Sequence, residues 1–348
     1  MRKKFIPYLL LIIMSLSVLS ACSGKNGTDK ADKANDKSAS TSEQDGAKKE
    51  KIRIVLDWTP NTNHTGLYVA QAKGYFSEAG LEVEIMQPPE GSTTSLIGAG
   101  GAEFGISFQD TIAPAFASDS PMPITAVAAI IQHNTSGILS LKDKDIATPA
   151  KMGGHNYATW DSPIELAMIK KIVEDDGGVF EEIKLIPNTV TDVVTALQTD
   201  IDSVWVFYAW DGIASEIAGL TTNYLNFADY GTELDYYSPV IIANNDFLAK
   251  QPDLTKAFLN AVRLGYEYAI SHPEDAADIL LAAVPELDET LVKESQIWLA
   301  KQYKAEVEQW GYIDPVRWDA FYRWLNENKL IEQEIPDGTG FSNEFLSK

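Results

Sequence analysis

The chain has 348 residues, 45% of them hydrophobic, and a formal net charge of −22 at pH 7. A field of this sign repels nucleic acid and anionic lipid headgroups, so it argues against a nucleic-acid partner. The single cysteine excludes an intrachain disulfide and a metal site built from a cysteine cluster.

The N-terminus has the layout of a secretory signal peptide, which we predict over residues 1–21. Three cationic residues at positions 2–4 precede an apolar run over 6–19, and this run leads into Leu19-Ser20-Ala21-Cys22. The tetrapeptide resembles the lipobox of bacterial lipoproteins, in which the cysteine becomes the lipidated first residue. The alternative is an ordinary signal peptide with an incidental cysteine. We expect Cys22 to anchor the protein by lipid to the extracytoplasmic face of the cell membrane.

The segment after this cysteine has the composition of a flexible tether. Residues 23–50 contain no Leu, Ile, Val or aromatic residue. Such a segment cannot bury enough apolar surface to offset the entropy lost on ordering. We therefore predict a lipidated cysteine and tether over residues 22–50, with the folded part beginning at residue 51.

Short β-rich runs alternate with helical runs in the next hundred residues. The hydrophobic spacing predicts strands over 52–56, 81–85, 104–107 and 124–131. It predicts helices over 66–78, 92–98 and 110–117, the last of them broken at Pro114.

A second alternating series and a helical C-terminal third follow. The series predicts strands over 156–159, 183–186, 204–207 and 224–227, and helices over 163–174, 192–198 and 211–218. Asp161-Ser162-Pro163 is a strong helix start, because it offers a capping side chain before a proline. Four further helices are predicted over 254–270, 273–283, 289–304 and 315–328.

This alternation predicts an α/β protein with mainly parallel strands. A folded part of about 300 residues exceeds one usual core, so we expect two lobes. Short apolar runs near 137–141 and 238–243 are the predicted crossovers between them. The predicted lobes are residues 51–140 plus 241–348 and residues 141–240.

The segment 57–66, Asp-Trp-Thr-Pro-Asn-Thr-Asn-His-Thr-Gly, is the richest candidate for a ligand site. It lies where a predicted strand ends and a helix begins, and ligands of open α/β sheets bind outside the carboxyl ends of strands. Asn, Thr and His supply directional hydrogen bonds, and Trp supplies a flat apolar face. A simple helix-capping loop is the alternative, although one Thr or Asn would suffice for that purpose.

The same segment carries a resemblance to a known family. Leu56 to Ala70, then Lys73-Gly74-Tyr75-Phe76 and Gly80-Leu81, resemble the opening signature of the thiamine-pyrimidine (NMT/THI-like) family. That family includes bacterial pyrimidine-precursor binding proteins and fungal pyrimidine synthases. Weaker matches follow at 105–107, 157–160 and 208–212. The resemblance implies a two-lobed periplasmic-binding-protein type II fold, each lobe a mainly parallel sheet flanked by helices. It also implies a receptor that delivers N-formyl-4-amino-5-aminomethyl-2-methylpyrimidine to the permease and ATPase subunits of an ABC importer.

An aminopyrimidine is a flat ring with one polar edge, so it favours aromatic faces and a carboxylate or amide at that edge. Glu165 is the candidate carboxylate, with Asp57 and Asp211 as alternatives, and Glu165 has the competing role of stabilising a helix N-terminus. The candidate ligand-binding residues are Trp58, Asn61, Asn63, His64, Ser107, Tyr157, Glu165, Tyr208, Trp210 and Asp211.

Other functions stay open on the sequence alone. The same fold could bind thiamine, hydroxymethylpyrimidine, riboflavin, nitrate, taurine or an alkanesulfonate, but no Lys or Arg in the candidate loops would meet an anion. The fungal synthases use a His and a cysteine-rich motif; His64 matches the first, and the second is missing. The four histidines show no His-x-x-x-His spacing. We predict a monomeric binding protein that has no metal or cofactor and is not an enzyme.

Overall fold

The computed structural model describes residues 49–88 and 90–347. Its strands are β1 (Glu50–Val55), β2 (Leu81–Met86), β3 (Phe104–Ser107), β4 (Ile124–Ala129), β5 (Ser136–Leu141), β6 (Asn156–Thr159), β7 (Lys184–Pro187), β8 (Ser203–Phe207), β9 (Thr222–Asn226) and β10 (Val240–Asn244). Its helices are α1 (Thr65–Ala72), α2 (Tyr75–Glu78), α3 (Thr93–Gly98), α4 (Gln109–Phe116), α5 (Pro163–Asp175), α6 (Val193–Leu197), α7 (Ile213–Ile217), α8 (Asn245–Lys250), α9 (Pro252–Ser271), α10 (Pro273–Ala283), α11 (Glu289–Leu299) and α12 (Pro315–Glu327).

The strands form two five-stranded sheets, ordered β2-β1-β3-β10-β4 and β7-β6-β8-β5-β9. In the first sheet β10 runs antiparallel to both of its neighbours, so the other four strands share one direction. In the second sheet β5 is the reversed strand in the same place. The predicted two-lobed α/β fold with mainly parallel sheets is confirmed.

Several predicted elements differ in detail. The helix predicted over 66–78 is divided into α1 and α2, because Gly74 adopts φ 82° between them. α4 continues through Pro114, where a break was predicted. α8 was not predicted, and the helix predicted from residue 211 begins as a π-helical turn over Tyr208–Gly212.

The chain passes between the sheets twice, over 130–135 and over 235–239. β5 lies wholly in the second sheet and β10 wholly in the first. The change of sheet therefore comes before β5, whereas the sequence-based boundary at 140/141 falls inside that strand. The C-terminal helices pack on the first sheet, in a core that joins Ile52 and Ile54 to Phe258 and Leu299.

Hydrogen bonds join the two crossovers side by side. The Asn134 side-chain amide donates to the backbone oxygen of Leu234 at 2.8 Å, and the Asn134 backbone N–H donates to Asp235 Oδ1 at 2.9 Å. His133 lies on the first crossover and contacts Asp235 on the second, with 2.7 Å between Nδ1 and Oδ2. The two crossovers therefore form one hydrogen-bonded pair between the sheets.

His133 is a titratable group within the paired crossovers. Its Nε2 lies 2.9 Å from Glu306 Oε2, and the Arg317 guanidinium also contacts the ring. The hydrogen bond to Asp235, assisted by Glu306, raises the pKa of His133 above 6.5 against the opposing effects of partial burial and Arg317. The folded state therefore favours the protonated ring.

We expect His133 to stabilise the protein fully below pH 6.5 and to lose this contribution as the pH rises through its folded-state pKa. The difference in melting temperature between the wild type and His133→Gln should be largest near about pH 5.5 and should shrink as the pH is raised toward about 8. Thermal unfolding at several pH values measures it. A constant difference across that range would contradict the assignment.

The predicted signal peptide, the lipid attachment at Cys22 and nearly all of the predicted tether lie outside the described residues. β1 begins at Glu50, the last residue assigned to the tether. Within 49–88 and 90–347, none of the helices has the length and apolar character needed to cross a bilayer.

Candidate functional site

The carboxyl end of β3 in the first sheet meets the carboxyl end of β8 in the second sheet. Phe108 follows β3 and Phe207 ends β8, and their rings stack with centroids 5.4 Å apart. The loops that follow β1, β3, β6 and β8 therefore surround the junction of the two sheets. This is the place where open α/β sheets bind ligands.

The loop after β1, residues 57–64, is hydrogen-bonded to α9, to α11 and to the segment that follows α11. The Tyr266 hydroxyl donates to the backbone oxygen of Asn63 at 2.6 Å, and the Tyr303 hydroxyl donates to that of Thr62 at 2.7 Å. Ser295 on α11 bridges the Thr62 hydroxyl and the backbone oxygen of Ala209, beyond β8. The loop is therefore rigid and is tied to both sheets.

Two predicted ligand contacts in this loop, Asn61 and His64, make hydrogen bonds within the loop itself. Asn61 caps the turn: its Oδ1 accepts from the Asn63 N–H, and its amide donates to the backbone oxygen of Thr59. His64 is fully buried; its Nδ1 accepts from the Asn61 N–H at 3.1 Å, and its Nε2 lies 2.8 Å from Asp57 Oδ1. Since Nδ1 is an acceptor, His64 is the neutral tautomer that donates through Nε2.

The same loop presents Trp58 to solvent. The indole is 56% exposed, which is unusual for a tryptophan in a loop so firmly held. Asn63 is half-buried, and its side-chain amide makes no hydrogen bond within the described part of the chain. Trp58, Thr59 and Asn63 are therefore the members of this loop that are available to a ligand.

Glu165 binds the loop after β6. Its buried carboxylate accepts hydrogen bonds from the hydroxyls of Tyr157, at 2.7 Å, and Thr159, at 3.0 Å. It also accepts from the backbone N–H groups of Trp160, at 3.1 Å, and Ser162, at 3.3 Å. Burial, and then the Glu165 charge, raise the pKa of Tyr157 well above 10.0, so the phenol stays protonated. The helix-capping role of Glu165 is confirmed, and its lone pairs are occupied.

The turn after β8 contributes three predicted residues with different surroundings. Tyr208 packs between Tyr224 and Trp298, with centroids 4.7 and 5.4 Å away. Trp210 packs on an apolar cluster that includes Leu280. Trp298 lies on α11, so its contact with Tyr208 joins the C-terminal helices to the second lobe.

Asp211, in the same turn, has a carboxylate with no cationic partner in the described part of the chain. Burial raises the pKa of this carboxyl to about 6. Above that pH the ionised group is desolvated, which favours a hydrogen-bond donor from a ligand.

One further predicted residue is bonded within the protein, and three aromatic residues at strand ends were not predicted. Ser107 is buried and shares a 2.9 Å hydrogen bond with Thr94 on α3. Trp160, Phe108 and Phe207 lie at strand ends and were not selected. The signal available for Trp160 was its position one residue after a predicted strand; Trp58 lies two residues after another predicted strand.

The loops after these four strands contain no Lys or Arg. No group of three or more His, Cys, Asp or Glu residues suited to a metal ion is found in residues 49–88 and 90–347. A groove of about 590 Å³ lies elsewhere, beside β1 and β2. Its rim is charged and includes the Lys51–Glu82 and Arg53–Glu103 ion pairs, so it does not share the aromatic character of the strand-end loops.

Comparison with known proteins gives matches both in sequence and in structure. The family described as NMT1/THI5 like matches residues 61–276. The formylaminopyrimidine-binding protein of Halalkalibacterium halodurans is 26% identical over 302 residues, which is 84% of this chain and 90% of that protein. The 4-amino-5-hydroxymethyl-2-methylpyrimidine phosphate synthase of Legionella pneumophila is 24% identical over 309 residues, which is 86% of this chain and 93% of that protein. The alkanesulfonate-binding protein SsuA from Xanthomonas axonopodis pv. citri, bound to MOPS, has a TM-score of 0.65 at 11% identity, covering 85% of this chain and 98% of that chain.

Proposed function

Because the chain belongs to the NMT1/THI5-like family, we propose that it is a solute-binding lipoprotein that captures a formylaminopyrimidine for an ABC importer. The observation that carries this proposal is the exposed indole of Trp58 on a rigid loop at a strand end. The similarity to the H. halodurans protein, whose name states this ligand, supports the choice of pyrimidine.

The chemistry of the site fits an aminopyrimidine. Trp58 offers an apolar face for the ring. Asp211 takes the place of Glu165 as the carboxylate for the polar edge, since Glu165 is saturated by protein donors. The free amide of Asn63 suits the formylamino group, which has one donor and one acceptor.

An enzyme of the synthase type is the second candidate, because the L. pneumophila relative bears that name. Two observations favour binding. Both ring nitrogens of His64 are engaged by Asn61 and Asp57, so the imidazole has no free atom to offer a substrate. The only cysteine of the chain is Cys22, which lies outside the described residues, so these residues supply no cysteine-rich motif.

A receptor for an anion is less well supported than a receptor for a heterocycle. Sulfonate and nitrate binders commonly hold the anion with the side chains of Arg or Lys. The loops after β1, β3, β6 and β8 provide carboxylates, amides and aromatic rings instead. The likeness to SsuA therefore supports the fold and not its ligand.

The signal peptide, the lipid on Cys22, the tether, the monomeric state and docking to a permease complete the proposal. The predicted lobes suggest a mechanism in which the ligand stabilises a closed arrangement about the paired crossovers, and a permease recognises that arrangement.

We expect the full chain to bind one formylaminopyrimidine in calorimetric titration, and to bind thiamine and taurine more weakly. Trp58→Ala should weaken the affinity roughly 10- to 100-fold, because a stacked indole buries apolar area worth about 1.5–3 kcal/mol. Tyr312→Ala is the control, since this ring is also exposed, at 36%, but is not at a strand end. Firm binding of taurine in place of the pyrimidine would overturn the ligand assignment.

A further inference from the structure

The two sheets repeat one order outward from the crossovers. From the crossovers to the free edge, the first sheet runs β4-β10-β3-β1-β2 and the second runs β9-β5-β8-β6-β7. The reversed strands β10 and β5 are equivalent, and so are β3 and β8. β1 therefore corresponds to β6.

This equivalence places two exposed tryptophans on opposite sides of the same opening. Phe108 and Phe207 join the ends of β3 and β8. The next strands away from the crossovers are β1, followed by Trp58, and β6, followed by Trp160. Trp58 is 56% exposed and Trp160 is 46% exposed, the highest fractions among the large aromatic side chains of the described residues.

The turn that carries Trp160 is unusually constrained. Asp161 has a positive φ of 60°, which costs free energy in a residue other than glycine. The Thr159 hydroxyl oxygen accepts from the Asp161 N–H at 2.8 Å while its proton goes to Glu165. Four donors thus meet one buried carboxylate beneath the turn, and no cation neutralises it within the described part of the chain.

The indole of Trp160 rests on a second tryptophan. Its ring lies 5.5 Å from that of Trp205, which packs in turn on Phe227 at 4.2 Å. The Trp160 and Trp205 rings are tilted by 43° to each other, so Trp160 has an aromatic neighbour while 46% of its side chain stays exposed. A rigid turn and a supported ring that still face solvent are the features of a preorganised stacking surface.

We propose that Trp160 is the second aromatic face of the binding cleft, and that Glu165 is its positioning residue. The inference rests on the proposed function and deepens it: the ligand is a flat unsaturated ring clamped between one indole from each lobe. A tetrahedral sulfonate offers no second face to such a clamp, so the pair selects planar heterocycles.

The test compares variants of the full chain by titration with the formylaminopyrimidine. We expect Trp160→Ala to weaken affinity about 10- to 100-fold, and Trp160→Phe to stay within about fivefold of the wild type because it keeps a stacking ring. Ligand-induced quenching of tryptophan emission should be smaller in Trp160→Phe than in the wild type, since one stacked indole has been removed. Unchanged affinity in Trp160→Ala would overturn the inference.

Glu165→Gln is the test of positioning. Gln keeps the shape but replaces an acceptor with a donor, so we expect affinity to fall about tenfold and the quenching to change. Glu174→Gln, on the exposed part of the same helix, is the matched control. A lower melting temperature with unchanged affinity and quenching would show that Glu165 serves stability alone and would overturn its positioning role.

The titrations distinguish a failure of the proposed function from a failure of the Trp160 assignment. A wild type that does not bind the pyrimidine rejects the proposed function and this assignment with it. A wild type that binds, together with a Trp160→Ala variant that binds as tightly, rejects only the second aromatic face.

Discussion

His64→Ala is expected to lower the free energy of unfolding by about 3–5 kcal/mol. The ring is fully buried, so its removal leaves a cavity. It also leaves the Asp57 carboxylate without its 2.8 Å donor and the Asn61 N–H without its acceptor. Urea denaturation of the wild type and the variant measures the difference.

A matched control separates this effect from the loss of any histidine. His272 is exposed at the start of α10, and His272→Ala should change the free energy of unfolding by less than about 0.5 kcal/mol. The two readings of His64 differ in outcome. A structural histidine makes His64→Ala unstable, whereas a catalytic one would leave stability intact and abolish synthesis of the pyrimidine.

Gly265→Ala is expected to destabilise the protein by about 3 kcal/mol. α1 and α9 touch through their backbones, and a Cβ on Gly265 would lie 2.0 Å from the backbone oxygen of Gly66. A backbone atom cannot move aside as a side chain can, so the helices must separate. The Tyr266 hydroxyl on α9 donates to the backbone of Asn63, so the loop over 57–64 should also become less ordered. We therefore expect the affinity for the proposed ligand to fall.

Gly153→Ala is the control for this substitution. A Cβ at Gly153 would meet the end of the Glu182 side chain at 3.1 Å, and that flexible group can move away. We expect a change of less than about 1 kcal/mol in urea denaturation. Equal stabilities of the two variants would show that α1 and α9 can separate without cost.

Local signals predicted much of the fold correctly. Asp161-Ser162-Pro163 predicted the start of α5, and the capping side chain and proline occupy the predicted positions. α10 has the predicted bounds. The break predicted at Pro114 was wrong, since α4 runs from Gln109 to Phe116 through this residue.

The candidate site was predicted in part. The sequence placed the loop 57–66 at a strand end, and the structure leaves Trp58 exposed there. It favoured Glu165 over Asp211, although each carboxylate follows a strand of the second sheet and composition alone does not separate them. In the structure Glu165 is saturated by four donors, whereas Asp211 has no cationic partner in the described part of the chain.

The α/β alternation and the helix starts could be predicted from the sequence, because these features depend on residues within one or two turns of each other. Which side chains are free to meet a ligand depends on the folded arrangement of both sheets. The tautomer of His64 depends on local neighbours held in place by Tyr266, which is 203 residues from Asn63 in the chain. Contacts over such separations leave no periodic signal, so the availability of Trp58 and Trp160 emerges only when both sheets are assembled.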